Sequence, residues 1–540
     1  MDADVIVVGA GPTGLLLAVE LRRAGVGVLV LERHRRIRQV AKAGGLSGQI
    51  LDLLRLRGDL ARFEAASTAP RPAPIFPWGG MHVDLTRLPD PPMAALPLPQ
   101  PLLEGVLDGF ARELGAEVRR GHEVVGLSQD AEGVTVEVSG PDGPARMRAA
   151  YVVGCDGSRS RVRDLVGIAF PGTTYPEVQR LAATTMPESV TQAEDGGLEV
   201  AGVGSIGFGF TRTERGEFAT GSADPAVLGV YTSEEESTDY DDDEPMTVAE
   251  VRASVRRVRG IDLPMGDPIR LTRFTFHARQ VERHRVGRVL LAGDAAHLFP
   301  SPGAALNVDL LDAVNLGWKL GAVVGGWAPE GLLDSYDEER RLAAARTMLH
   351  TQAQIALRRG HDAAAQALRE LVGGLLVDEQ PLRRLGSMMA GSDVRYPLPG
   401  HERHPLVGTF APDLALVGDP GPGGLAGLDL RARPVLLDLA DRADLRDVAR
   451  EWEHRVDLHS VDLHSVDLHN VDLHNVDLHS VVAQDRPADA LLVRPDAHVA
   501  WAAGVDEPTG TAVDALREAL ARWFGAGRTE GAPRERVVAE

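Results

Sequence analysis

The chain opens with an unbroken apolar run at residues 5–8, a glycine-rich stretch at 9–14, a segment at 15–23 with apolar residues on one side, and a second apolar run at 26–31. Apolar runs this short are buried strands and the amphipathic segment between them is a helix, so the pattern predicts strand, turn, helix, strand. A helix is predicted at 47–56. Residues 68–99 are rich in proline, which excludes helix and central strand, so the alternating residues 81–85 read as an edge strand. The stripe Leu102, Leu103, Val106, Leu107, Phe110, Leu114 predicts a helix over 100–114. Strands are expected at 118–128 and 134–138, and another from Tyr151 ends at Asp156-Gly157, with a helix starting at Ser160. Residues 181–231 alternate and are rich in glycine, hence mostly sheet. The acidic run 234–244 reads as a solvated loop. A helix at 247–259, a strand at 289–291 closing on Gly293-Asp294, and a helix from about Ala304 follow. Residues 332–366 form a long helix with Arg359-Gly360 as its weak point. After loops near 396–408, strands at 434–439, 490–493 and 499–501 alternate with helices at 445–453 and 513–522.

The first unit carries chemistry. Gly9 allows the tight turn, Gly11 lets the backbone approach a pyrophosphate, and Gly14 lets helix and strand pack closely. The helix N-terminus behind Pro12 and Thr13 offers free N–H groups to the phosphates. Glu32, 23 residues beyond Gly9, can accept the hydrogen bonds of a ribose diol. Together these point to an adenine dinucleotide. Lys42, Ala43 and the glycines after them either line the phosphates or form a solvated turn. Asp156 and Asp294, each at a strand end, face the edge of the sheet where ligands collect. His297 beside the second of these fits a structural role better than a catalytic one. The glycine pattern at 202–207 is a decoy, because Phe208-Gly209-Phe210 follows it where a helix would have to begin.

Composition narrows the classes. A length of 540 residues implies two to four domains, and no apolar run approaches the ~18 residues of a membrane span. The N-terminus enters its first strand within five residues, without a cationic and then apolar leader, so a cytoplasmic location is expected. Net charge is −21, which argues against a nucleic-acid ligand. Cys155 is the only cysteine, so redox chemistry has to come from a bound cofactor. Five copies of Val-Asp-Leu-His-(Ser/Asn) occupy 456–480; their odd period turns successive histidines to opposite faces of a strand, so they read as an expansion in a surface loop and not as a metal site.

Gly9-x-Gly11-x-x-Gly14 with Glu32, then Gly154-Cys-Asp-Gly-Ser-Arg-Ser-Arg, then Gly293-Asp-Ala-Ala-His with the segment 307–320, resemble the three fingerprints of the FAD-dependent aromatic hydroxylases, the group A flavoprotein monooxygenases. The resemblance covers residues 1–360. The segments from His404 and from Ala488 are similar to the thioredoxin-like C-terminal domain of members acting on aromatic polyketides and rifampicin-type antibiotics. The implied fold is α/β, with a Rossmann-like FAD-binding domain of the para-hydroxybenzoate hydroxylase type at 1–75, 98–180 and 272–395. A substrate-binding middle domain at 76–97 and 181–271 and a thioredoxin-like domain at 396–540 complete it.

The resemblance further implies FAD, NADPH or NADH as reductant, dioxygen, and oxygen transfer through a flavin peroxide, either ring hydroxylation or Baeyer–Villiger insertion. The substrate would be an aromatic polyketide or related small molecule in antibiotic biosynthesis, and the protein a monomer or homodimer with no nucleic-acid or membrane partner. A flavoprotein that merely shields a polyketide intermediate is the alternative. Glu32 would bind the adenosine ribose with Arg33 by the adenine, Lys42 would stand near the pyrophosphate, Ala43 would line the cofactor, Gln100 would reach it from its helix start, Asp156-Gly157 would serve both FAD and NAD(P)H, and Asp294 would bind the ribityl chain. Pro300, Gly303, Ala304, Ala305, Leu306 and Asn307 would pack on the isoalloxazine. The turn before Asn307 departs from the family, which usually has two glycines where Pro302-Gly303 stands.

Overall fold

The computed structural model describes residues 1–39, 43–67, 75–193, 196–221, 224–236, 240, 245–301, 303–360, 362–412, 433–460 and 486–528. Lys42, Pro302 and repeat copies 461–480 lie outside them.

The N-terminal apolar runs are the central strands Ala3–Val8 and Val28–Glu32 of an eight-stranded sheet. Parallel to them lie Gly143–Gly154 and Val289–Leu291 on one side and Glu117–Arg120 on the other. Val5, Ile6 and Val7 are fully buried because helices and a β-layer cover the two faces of the sheet. The Pro12–Arg23 helix packs on one face beneath the Ala305–Val324 helix, and Gly317 and Gly321 make that approach possible, since a Cβ at either would lie 2.4–2.5 Å from the first helix. The strand expected at 118–128 is two strands. Glu117–Arg120 stays in the parallel sheet, the chain turns at Gly121 (φ +74°), and Glu123–Gln129 pairs antiparallel with Val134–Gly140. Likewise the helix expected from residue 47 begins at Gln49, because Gly45–Ser47 pairs with Ala95–Pro97.

A second sheet of six antiparallel strands is built around Gly172–Thr185 and Pro268–Gln280, so its strands run past the 181 and 271 bounds read from the sequence. The Val248–Arg259 helix covers one face through Val251, Val255 and Val258, packed on Ala182, Phe218, Leu228 and Val230. Of the acidic run, residues 237–239 and 241–244 lie outside the described residues, and its start is strand. Glu234 ends the Val227–Glu235 strand 5% exposed, paired with fully buried Arg180 and with Arg257, so two guanidinium groups draw it in. The last strand of this sheet, His297–Leu298, directly follows Gly293–Ala295, which fastens the second sheet to the ligand edge of the first.

The long helix ends at Arg358; Gly360 (φ +87°) breaks it and Asp362 caps the next, Ala363–Leu375. C-terminally, Val435–Asp438 pairs parallel with Asp457–Ser460 and antiparallel with Ala490–Val493, which pairs with Val499–Ala503. The first pentapeptide is thus a strand, and helices Ala443–Arg450 and Thr509–Phe524 pack against this sheet. No helix among the described residues is long and apolar enough to cross a membrane.

Candidate active site

A cavity of about 920 Å³ runs from the first turn of the parallel sheet to the uncovered face of the second sheet. At one end stand Gly9, Gly11, Pro12 and Thr13. Gly9 has φ +106° and Gly14 packs against it: a Cβ on Gly14 would lie 2.1 Å from the Gly9 carbonyl oxygen. Gly11 differs, since a Cβ there would meet nothing within 4 Å and would project into open space. The Pro12–Arg23 helix has no side-chain cap, so its first N–H groups are left for a ligand. Glu32 accepts from Ala10 N–H (2.9 Å) and His34 N–H (2.8 Å), which fixes its carboxylate at the cavity wall beside exposed Arg33. Gln100 and Ala43 bond reciprocally, Gln100 N–H to the Ala43 carbonyl (3.1 Å) and Ala43 N–H to Gln100 Oε1 (3.3 Å). Both line the cavity. These residues fit an adenine dinucleotide: an open N-terminus, a cradle without a Cβ, and an acid at the second strand end.

Four acids behave differently. Asp156 accepts from Ser160 Oγ (2.5 Å) and Val162 N–H (3.0 Å), so it organises the start of the Arg161–Leu165 helix, and burial pushes its carboxyl up. Gly157 after it has φ +85° and shares the cavity wall. Asp294 lines the cavity and hydrogen-bonds Asp309, whose carboxyl is pushed well up by burial and by the neighbouring Asp294 and Asp312. Asp312 is held down by His297 and Arg340: it accepts from His297 Nε2 (2.8 Å), Gly293 N–H (2.9 Å) and Arg340 Nε (2.6 Å). His297 is fully buried and outside the cavity wall, a brace for the Gly293–Ala295 turn.

Gly303 (φ +89°), Ala304, Ala305 and Leu306 line the cavity, and the helix from Ala305 starts without a side-chain cap. Pro300 is buried and outside the wall. Asn307 is also outside it: its Oδ1 accepts from Ser47 N–H (2.7 Å) and its Nδ2 donates to Ser47 Oγ (3.0 Å) and the Gly303 carbonyl (3.1 Å). These bonds tie the start of the helix to Ser47 and to the 303–306 turn.

The other end of the cavity is walled partly by the segment 181–271 assigned from the sequence to the middle domain, through Leu181, Phe210, Tyr231 and Arg270, although the sequence did not show which side chains these would be. Arg270, Thr272, Phe274 and Phe276 alternate on one strand, and Phe210 and Tyr231 meet edge to face at 5.9 Å. From the Asp334–Arg358 helix, His350, Gln354 and Arg358 reach the wall at a spacing of four. Arg358 bonds Glu217 (2.6 Å) and the Tyr231 hydroxyl. The signal was the polar i, i+4, i+8 series, hidden in a segment read only as rich in Arg and Ala.

A family described as "FAD binding domain" matches residues 2–351, and one described as "Aromatic-ring hydroxylase, C-terminal" matches residues 404–527. The chain belongs to the FAD-dependent aromatic-ring hydroxylases. It is 41% identical over 537 residues to the 12-dehydrotetracycline 5-monooxygenase/anhydrotetracycline 6-monooxygenase of Streptomyces rimosus subsp. rimosus, covering 97% of this chain and 99% of that one. The solved anhydrotetracycline hydroxylase of Streptomyces rimosus superposes with a TM-score of 0.81 at 39% identity, over 98% of this chain and 100% of that one. Aklavinone-11 hydroxylase, solved with FAD and aklavinone, gives a TM-score of 0.66 at 25% identity over 97% and 99%. This hydroxylase is thus an FAD-binding monooxygenase whose C-terminal unit is part of the family's architecture.

Proposed function

We propose that the protein uses NAD(P)H and dioxygen to oxygenate a polycyclic aromatic polyketide or related natural product in antibiotic biosynthesis. The observation that carries this is the single cavity, with a dinucleotide cradle at one end and an aromatic sheet face at the other. FAD, when bound, supplies electron transfer and oxygen activation. Gly11 and the open helix start hold its pyrophosphate, Glu32 its adenosine ribose and Asp294 its ribityl chain, with Arg33, Ala43, Gln100, Asp156 and Gly157 lining the same path. The turn at 303–306 presents backbone N–H groups to the flavin edge. The sheet face excludes water and places the substrate ring. The strand order around Val435–Asp438 supports a thioredoxin-like C-terminal domain.

The test is NADPH and NADH oxidation by FAD-loaded protein against a panel of polycyclic polyketides that includes anhydrotetracycline, with products read by mass and NMR. Substrate-stimulated oxidation with a product heavier by one oxygen is expected, and NMR separates a ring hydroxyl from an inserted ester oxygen. Loaded protein that stimulates with no member and yields no oxygenated product defeats the proposal.

A further inference from the structure

The Asp334–Arg358 helix spans the molecule from the Gly293–Ala295 turn, where Arg340 holds Asp312, to the second sheet, where Arg358 holds Glu217. Along the face between them, side chains four residues apart stand over one another. Arg346 is committed to Asp393 (2.5 Å), and Gln354 Oε1 accepts from Ser301 Oγ (2.9 Å) and Gly79 N–H (3.4 Å). His350 is the exception. It lines the cavity and is only 4% exposed, yet its Nδ1 has no partner among the described residues.

A buried ring nitrogen without a hydrogen bond is costly, and native structures satisfy such groups with protein, water or ligand. Here the site borders ligand space. Burial and the neighbouring Arg346 hold the imidazole down to about 4, so at neutral pH it is uncharged, with one accepting and one donating nitrogen. The uncharged ring suits a neutral hydroxyl, and the nearby wall contributes apolar Phe76, Phe276 and Met389, which suit a flat ring. One turn on, Gln354 lines the same cavity and its amide nitrogen is a second polar group.

We propose that His350 determines specificity by hydrogen-bonding a phenolic or enolic hydroxyl on the edge of the substrate ring system, with Gln354 serving the adjoining oxygen. This rests on the polyketide-oxygenase reading above. The hydroxyl donates to the accepting imidazole nitrogen and no bond is made or broken, so His350 positions the ring while the flavin chemistry stays elsewhere.

The experiment compares the affinity of FAD-loaded protein for anhydrotetracycline and for its phenol methyl ether, followed by flavin fluorescence, in the parent, His350→Phe and His350→Gln. Bound flavin and melting temperature report folding, and His350→Gln carries the comparison if phenylalanine is not tolerated. The parent is expected to prefer the free phenol by about tenfold or more. His350→Phe should bring the preference to within about twofold, and His350→Gln, which keeps an accepting atom, should retain part of it. A merely structural role would weaken both ligands alike. A parent that does not discriminate, or a His350→Phe protein that keeps the preference, overturns this inference alone. A parent that binds neither probe overturns the polyketide reading and this one together.

Discussion

Replacing Glu339 by Gln should loosen the C-terminal unit from the FAD-binding domain. Glu339 lies on the Asp334–Arg358 helix and is 3% exposed. It accepts from Arg494 through two nitrogens (2.7 Å each), from Lys319 Nζ (2.8 Å) and from Asn315 Nδ2 (2.7 Å). Asp496 supplies the second carboxylate to Arg494, at 3.0 and 2.5 Å. Two cations and two anions therefore balance in a buried cluster that joins the two helices of the FAD-binding domain to the C-terminal hairpin. The two sides of the pair shift unequally: Arg494 and Lys319 hold Glu339 below the usual carboxylate range, while burial pulls Lys319 down to about 8 against the pull of Glu339. The carboxylate faces two cations, and both groups are charged at neutral pH.

Glutamine keeps the shape but leaves one uncompensated buried positive charge, worth about 3–5 kcal/mol. Where opening is fast relative to cleavage, that raises the open population on the order of 10²–10⁴-fold, and trypsin cleavage in the arginine-rich C-terminal unit should accelerate accordingly. Adding Lys319→Met restores neutrality and should recover most of the protection. The parent should show the same loosening in acid. A carboxylate held low in the folded state contributes fully above about pH 4.5 and loses its contribution as the pH falls below that, because the unfolded chain takes up its proton first. Cleavage of Glu339→Gln within twofold of the parent, or a double variant no better than the single, would refute the reasoning.

Gly14→Ala should lose flavin and stability together, by about 1–3 kcal/mol, because its Cβ meets the Gly9 carbonyl at 2.1 Å; Gly11→Ala should fold normally and lose only FAD affinity. Melting curves with and without FAD separate the two, and equal behaviour would defeat the assignment. Asp294→Ala should elute colourless from gel filtration, whereas His297→Ala, a buried brace, should keep its flavin and turn over within about tenfold of the parent, roughly 1.4 kcal/mol of barrier. A His297→Ala protein that holds FAD yet loses three orders of magnitude would mean acid–base chemistry had been missed. Deleting residues 461–480 should leave FAD content and activity unchanged, since the first copy already supplies the strand Asp457–Ser460; a deletion that fails to fold, or a tightly bound metal lost with it, would show that the copies do more.

The cofactor end was legible because its determinants are local. Gly9, Gly11, Gly14 and Glu32 fall within one β-α-β unit, where spacing along the chain fixes spacing in the molecule, and the apolar runs at 5–8, 26–31 and 289–291 are buried strands whatever surrounds them. The misreadings have the opposite character. The break at Gly121 depends on two different strand partners, and the burial of Glu234 depends on Arg180, 54 residues away. The bond between Asn307 and Ser47, 260 residues distant, was beyond the sequence for the same reason.

By itself, then, the sequence determined the dinucleotide unit, the central strands of the first sheet and the absence of an internal disulfide, all of them set by short-range geometry or by composition. Only the tertiary structure decided that His297 serves Asp312, that His350 and Gln354 face a cavity, and that Glu339 joins two domains. Each depends on which distant side chain arrives at a buried polar group, and in a low-dielectric interior that partner decides whether the group is a brace, a charge or an open site.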